Sequence, residues 1–132
     1  MNATIRRLGA TLLVALAITA CSGTPAATVA PTDPPTVAIR TAPAGNLACM
    51  DALMSGTLAR HAGTGLGVTA ADGQQMAVEW PFRYSAWVVD GRIVLLDETG
   101  KAVAREGDKI QAGGGFGNAM WHACGSVVLQ AG

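Results

Sequence analysis

The chain has 132 residues, nine of them basic and nine acidic, and charged side chains make up only 14% of it. That balance leaves no electrostatic case for nucleic acid as a partner. His61 and His122 are the only histidines, and no C-x-x-C or H-E-x-x-H spacing occurs, which excludes a three-histidine zinc centre.

At the start of the chain, Arg6 and Arg7 precede a run of apolar or small residues from 8 to 20. A spanning helix needs roughly 20 such residues, so a basic pair ahead of a run this short reads as a signal sequence. The run ends Ile18-Thr19-Ala20-Cys21, which resembles the lipobox of a bacterial lipoprotein. The resemblance implies that residues 1–20 are a signal peptide, that the Cys21 thiol receives a diacylglyceryl group, and that cleavage leaves Cys21 as an acylated first residue. Two or more acyl chains anchor stably, at about 0.8 kcal/mol per buried methylene. The expected location is therefore the cell envelope, lipid-anchored on the extracytoplasmic side of a membrane. The alternative is an ordinary secretory signal with a coincidental cysteine. Ile5 and Leu8-Gly9-Ala10 fit a twin-arginine signal poorly, which favours the general secretory route. Loss of residues 1–20 leaves seven basic against nine acidic side chains.

Residues 21–45 hold the anchor and a stretch dominated by Thr, Pro and Ala, including Pro31, Pro34, Pro35 and Pro43. Apart from Val29, Val37 and Ile39 it has few apolar side chains to offset ordering entropy, so it is expected to be a disordered tether. Its prolines favour extended polyproline II, about 3.1 Å per residue.

Residues 46–132 are enough for one domain with a modest core. A short helix is expected first: Leu47, Met50 and Met54 recur at helical spacing, with Asn46 as N-cap and Gly56 as a stop. Strands follow at 57–61, 66–70, 75–80, 86–89, 92–96, 102–105, 109–112, 119–123 and 127–129. Between them lie Asp72-Gly73, Asp90-Gly91, residues 97–100 and Glu106-Gly107-Asp108, all with turn chemistry. Many short strands must close or double over to cover their edges, so the fold expected is mainly β, a small antiparallel OB-like barrel or sandwich.

With Cys21 assigned to lipid, Cys49 and Cys124 remain. An even pair in an oxidising compartment reads as a disulfide, closing a loop of about 75 residues and contributing roughly 4 kcal/mol in the chain-entropy model. Two free thiols and a shared metal site are the competing readings.

Trp80-Pro81 with Tyr84, Leu95-Leu96-Asp97-Glu98-Thr99-Gly100, Val103-Ala104-Arg105-Glu106-Gly107-Asp108, Ile110, Gly113-Gly114-Gly115, Trp121 and Cys124 together resemble small secreted or lipid-anchored bacterial β-barrel domains of uncharacterised activity. The likeness covers about half of the chain after Cys21. A W-P-x-G-Y pattern is common there, and Phe82-Arg83 replaces its middle pair here. The resemblance implies fold and location and carries over no catalytic residue and no cofactor.

Chemistry is sparse. Met120, His122 and Cys124 alternate along one strand and so share a face, and sulfur with imidazole suits copper. A periplasmic copper or redox accessory protein using Met120 and His122 is therefore the alternative function, against simple packing. Gly113 to Asn118 lacks the Lys-Ser/Thr ending of a phosphate loop and reads as a hairpin loop or a close approach of strands. Ser126 has no G-x-S-x-G frame, and Asp97, Glu98, Glu106 and Asp108 read as solvated turn residues. No base and nucleophile pair is visible, so no enzyme is expected. Trp80, Tyr84, Trp87 and Trp121 are the candidate ligand surface, with core packing as the competing reading, and the loops 83–86 and 113–118 are further candidates. The favoured function is a lipid-anchored module that binds an envelope protein, polymer or small ligand.

Overall fold

The computed structural model describes residues 30–45 and 49–131. Nine strands are arranged in two sheets, and no helix occurs among the described residues. β1 (Thr36–Val37), β5 (Ser85–Val89), β6 (Arg92–Leu96) and β7 (Ala102–Arg105) form one sheet in the order β1-β5-β6-β7. The others are β2 (Ala52–His61), β3 (Gly65–Thr69), β4 (Gln75–Glu79), β8 (Lys109–Gly117) and β9 (Met120–Leu129). These pair in the cyclic order β2-β3-β4-β9-β8. One joint departs from the antiparallel expectation: β4 meets β9 in parallel, through Val78 opposite Trp121 and Glu79 opposite His122.

The turn dipeptides sit where the chain reverses. Asp90 and Gly91 both have positive φ, 50° and 75°, as the two central residues of a type I′ hairpin require. Asp97 accepts hydrogen bonds from the amides of Thr99 (2.9 Å) and Lys101 (3.0 Å), and Asp108 from that of Arg105 (2.8 Å). The short strands expected at 109–112 and 119–123 lengthen into β8 and β9, which pair across a bulge between Ala112 and Gly114.

The helix expected from Asn46 to Gly56 gives way to strand. Residues 46–48 lie outside the described residues, but from Ala52 the chain is β2 and it runs through Gly56 without a break. Met54 and Leu58 point into the core, at 4% and 0% exposure, whereas Leu53 is 63% exposed. A spacing of four fits both periods, and pairing on both sides of β2 outweighs local preference. Gly56 lies where β2 passes from one partner to the other, since Ala52 to Thr57 pair with β8 and Thr57 to His61 with β3. A side chain at Gly56 would run into the Val68 side chain and the Thr69 carbonyl.

Part of the stretch expected to be tether is built into the domain. β1 pairs with β5, the Val88 amide donates to Pro35 O (2.8 Å), and Val37 and Ile39 pack against the core. Further along, the Arg40 amide donates to Thr64 O (3.1 Å) and the Trp80 amide to Arg40 O (2.9 Å). Residues 36–42 thus form a strap wedged between the start of β3 and the end of β4. Gly65, with φ 75°, is opposite it, and any Cβ there would strike the Ala38 carbonyl. In a strap of this composition a few apolar side chains and a run of backbone hydrogen bonds suffice.

A single cluster joins the two sheets, with Leu58, Leu66, Val78, Trp80, Ile93, Leu95 and Ile110 all nearly or fully inaccessible. Cys49 and Cys124 are bridged, with Cα atoms 5.6 Å apart, which fastens the approach to β2 onto β9.

Candidate functional site

Alternation along β9 sends Trp121 and Ala123 inward and Met120, His122 and Cys124 to the opposite face. The parallel joint sets His122 opposite Glu79 on β4. Nδ1 of His122 lies 2.9 Å from Glu79 Oε1, and Nε2 lies 3.0 Å from the carbonyl oxygen of Gly117. Both ring nitrogens face acceptors, so the imidazolium donates to both while a neutral ring can serve only one. The strap supplies the third member, Arg40, whose Nε donates to Glu79 Oε2 at 3.2 Å. Glu79 is one of two buried polar residues described, at 7% exposure. The His122 hydrogen bond, reinforced by Arg40 and opposed by burial, holds its carboxyl below the usual range. The node joins the strap, β4 and β9, and no hydroxyl or thiol is hydrogen-bonded to it among the described residues.

What the node positions is the tip between β8 and β9. Gly117 precedes Asn118 and Ala119, both at positive φ, 51° and 59°, which makes a tight two-residue turn. Phe116, next to it, is 62% exposed. Phe116 and Ala119 form one wall of an open groove of about 270 Å³. The other wall is the β3–β4 turn and the start of β4, with Asp72, Gln74, Gln75 and Met76. Asp72 Oδ1 accepts the Gln74 amide at 3.0 Å and holds that turn.

Of the four aromatics that were candidates for a ligand surface, three are core, the competing reading that packing offered. Trp80 is fully buried and its Nε1 donates to Leu66 O at 3.0 Å. Tyr84 is 9% exposed, and burial pushes its hydroxyl above the usual value. Trp121 is 8% exposed, and its Nε1 finds no partner among the described residues. Trp87 is half-buried on β5, opposite Thr36 of the strap. The physical reason is shared: a domain this small needs its large rings inside. The glycine run is strand, and it serves close approach, since a side chain on Gly115 would displace Met50 and one on Gly114 would meet the His122 carbonyl.

The residues of the copper alternative are placed as follows: Met120 and His122 share a half-buried face of β9. Cys124 sulfur is in the bridge, both His122 nitrogens are engaged, and no group of three His, Cys, Asp or Glu able to hold a metal occurs among the described residues. His61 does a different job: its Nδ1 accepts the amides of Gly63 and Thr64, each at 3.2 Å, and shapes the turn into β3. Cys21 lies outside the described residues. Phe116 was reachable from the sequence only as part of a candidate loop. The Glu79–His122 pair left no sequence signal, because its partners are 43 residues apart.

No family model, no curated protein and no solved structure matches the chain.

Proposed function

We propose that the chain is a lipid-anchored extracytoplasmic binding module, with residues 1–20 as its signal peptide, Cys21 as the acylated residue and an OB-like ring as the binding domain. The observation that carries the reading is the Cys49–Cys124 bridge. Stable disulfides belong to oxidising compartments, and this one uses two of the three cysteines and leaves Cys21, at the end of the apolar run, for lipid. The OB-like assignment draws support from three features. The ring strands take the order first, second, third, fifth, fourth; the third and fifth are parallel; and the first pairs on both sides, changing partner at Thr57. β5, β6 and β7 then fill the crossing between the third and fourth ring strands.

Intact mass of the membrane-extracted chain, before and after reduction, tests the anchor. The expected species begins at Cys21, carries acyl groups and gains two hydrogens on reduction. A chain recovered from the aqueous fraction with an unmodified Cys21 would overturn it.

A further inference from the structure

We propose that the groove between the β3–β4 turn and the β8–β9 tip binds a neutral saccharide, with Phe116 stacked on a sugar ring and the carboxamides of Gln74 and Gln75 taking its hydroxyls. The proposal rests on the binding-module reading and supplies its ligand class.

Five observations converge. Phe116 is 62% exposed while Trp80, Tyr84 and Trp121 are buried, and leaving a phenyl ring in water forfeits about 1.5–3 kcal/mol of burial. Its hairpin is held, not loose. The turn at Asn118 and Ala119 is tight, and the Gly117 carbonyl is bonded to His122, itself fixed by Glu79 and Arg40. An aromatic ring presented on a braced hairpin keeps its ordering cost low when a ligand arrives.

The donor set selects the chemistry. Gln74 and Gln75 are exposed and their carboxamides have no side-chain hydrogen bond among the described residues, so donors and acceptors are free in a groove that Met76 and Ala77 also line. A pyranose presents the same pair of properties, a carbon–hydrogen face and hydroxyls that both donate and accept. No Lys or Arg lines the groove and Asp72 does, which disfavours anionic ligands. A volume of about 270 Å³ falls just below the usual range for ligand pockets, roughly 300–1,000 Å³. It accommodates one or two sugar units of a longer chain. Strand addition by a peptide is the weaker reading, because only the three residues Gln75, Met76 and Ala77 precede the β4–β9 pairing.

Amide-resolved NMR titration of the chain in detergent micelles tests this with triacetylchitotriose and maltotriose, in parallel with a neutral tetra-alanine peptide. Shifts confined to Phe116, Gln74, Gln75 and Ala119 are expected from at least one sugar, weakened about tenfold or more by Phe116→Ala and several-fold by Gln74→Ala. Phe116 is exposed, so the first variant keeps its fold, which its unperturbed remaining spectrum would verify. Silence of both sugars up to about 10 mM, shifts elsewhere, unchanged affinity in Phe116→Ala, or shifts from the peptide alone would each overturn the proposal. Because binding in micelles does not require acylation, silence in a chain whose mass shows the lipid removes the groove and leaves the anchor. Sugar binding by a chain that lacks lipid does the reverse.

Discussion

Glu79 and Glu106 each gather two distant segments onto one carboxylate, but with donors of different kinds. Glu79 takes Arg40 Nε at 3.2 Å and His122 Nδ1 at 2.9 Å, and is almost fully buried. Glu106, in the β7–β8 turn with its side chain 27% exposed, takes Arg60 Nε at 3.0 Å and the backbone amide of Ile93 at 3.0 Å. Both carboxyls sit below their usual value, Glu79 chiefly through His122 and Glu106 chiefly through the Ile93 amide, with burial opposing in each case. A backbone amide is placed by the fold itself, whereas both donors to Glu79 are side chains. The Glu106 junction is therefore tied to the backbone of β6 as well as to β2, and the Glu79 junction rests wholly on side chains from the strap and β9.

The sharpest way to break the Glu79 side is to lift the strap from it. Gly65→Ala puts a Cβ into the Ala38 carbonyl at a positive φ, and is expected to cost about 3 kcal/mol in urea unfolding. A loss under about 1 kcal/mol would show that the strap is not integral. Glu79→Ala should follow, at about 2 kcal/mol, since it leaves Arg40 and His122 without their acceptor. It should also release the Gly117 tip, seen as faster amide exchange at Asn118 and Ala119. Glu106→Gln keeps an acceptor for the Ile93 amide and loses only the exposed pairing with Arg60, so about 0.5 kcal/mol is expected. If the two glutamate variants cost the same, the distinction drawn from their donors fails.

Acid gives the finest discrimination. Each carboxyl is depressed in the folded chain relative to its ordinary 4.5, so the unfolded chain protonates first as pH falls. The stability they contribute is complete above that value and is lost as pH drops through the folded values. Unfolding midpoints measured from pH 6 downward should therefore decline less steeply in Glu79→Gln and in Glu106→Gln than in the parent chain. An unchanged slope in Glu79→Gln would mean that its hydrogen bonds do not form in solution.

Much of the strand framework was legible because alternation and turn dipeptides are local signals. Asp90-Gly91, Asp97 and Asp108 mark reversals through their own backbone geometry, and Cys49 with Cys124 was found by counting cysteines and compartment. Met54 misled because a spacing of four satisfies helix and strand alike, and only the pairing of β2 with both β3 and β8 decides. The strap was hidden by Pro34 and Pro35, although Val37 and Ile39 alternate as a strand does. The node around Glu79 could not be read at all, since Arg40 is 39 and His122 43 residues away. Phe116 was obscured by the glycines around it, whose role is to let Met50 and β9 approach closely.

The strap also sets a length scale. If the domain began at residue 46, an acyl group on Cys21 would hold it on a leash that could stretch to about 85 Å. With the strap held from Pro35 onward, the same leash would extend to about 50 Å at most. Because reachable volume grows with the cube of length, the strap would cut the space the domain can sample by about fivefold. If Cys21 is acylated, so short a reach would confine the domain to ligands close to the anchoring bilayer.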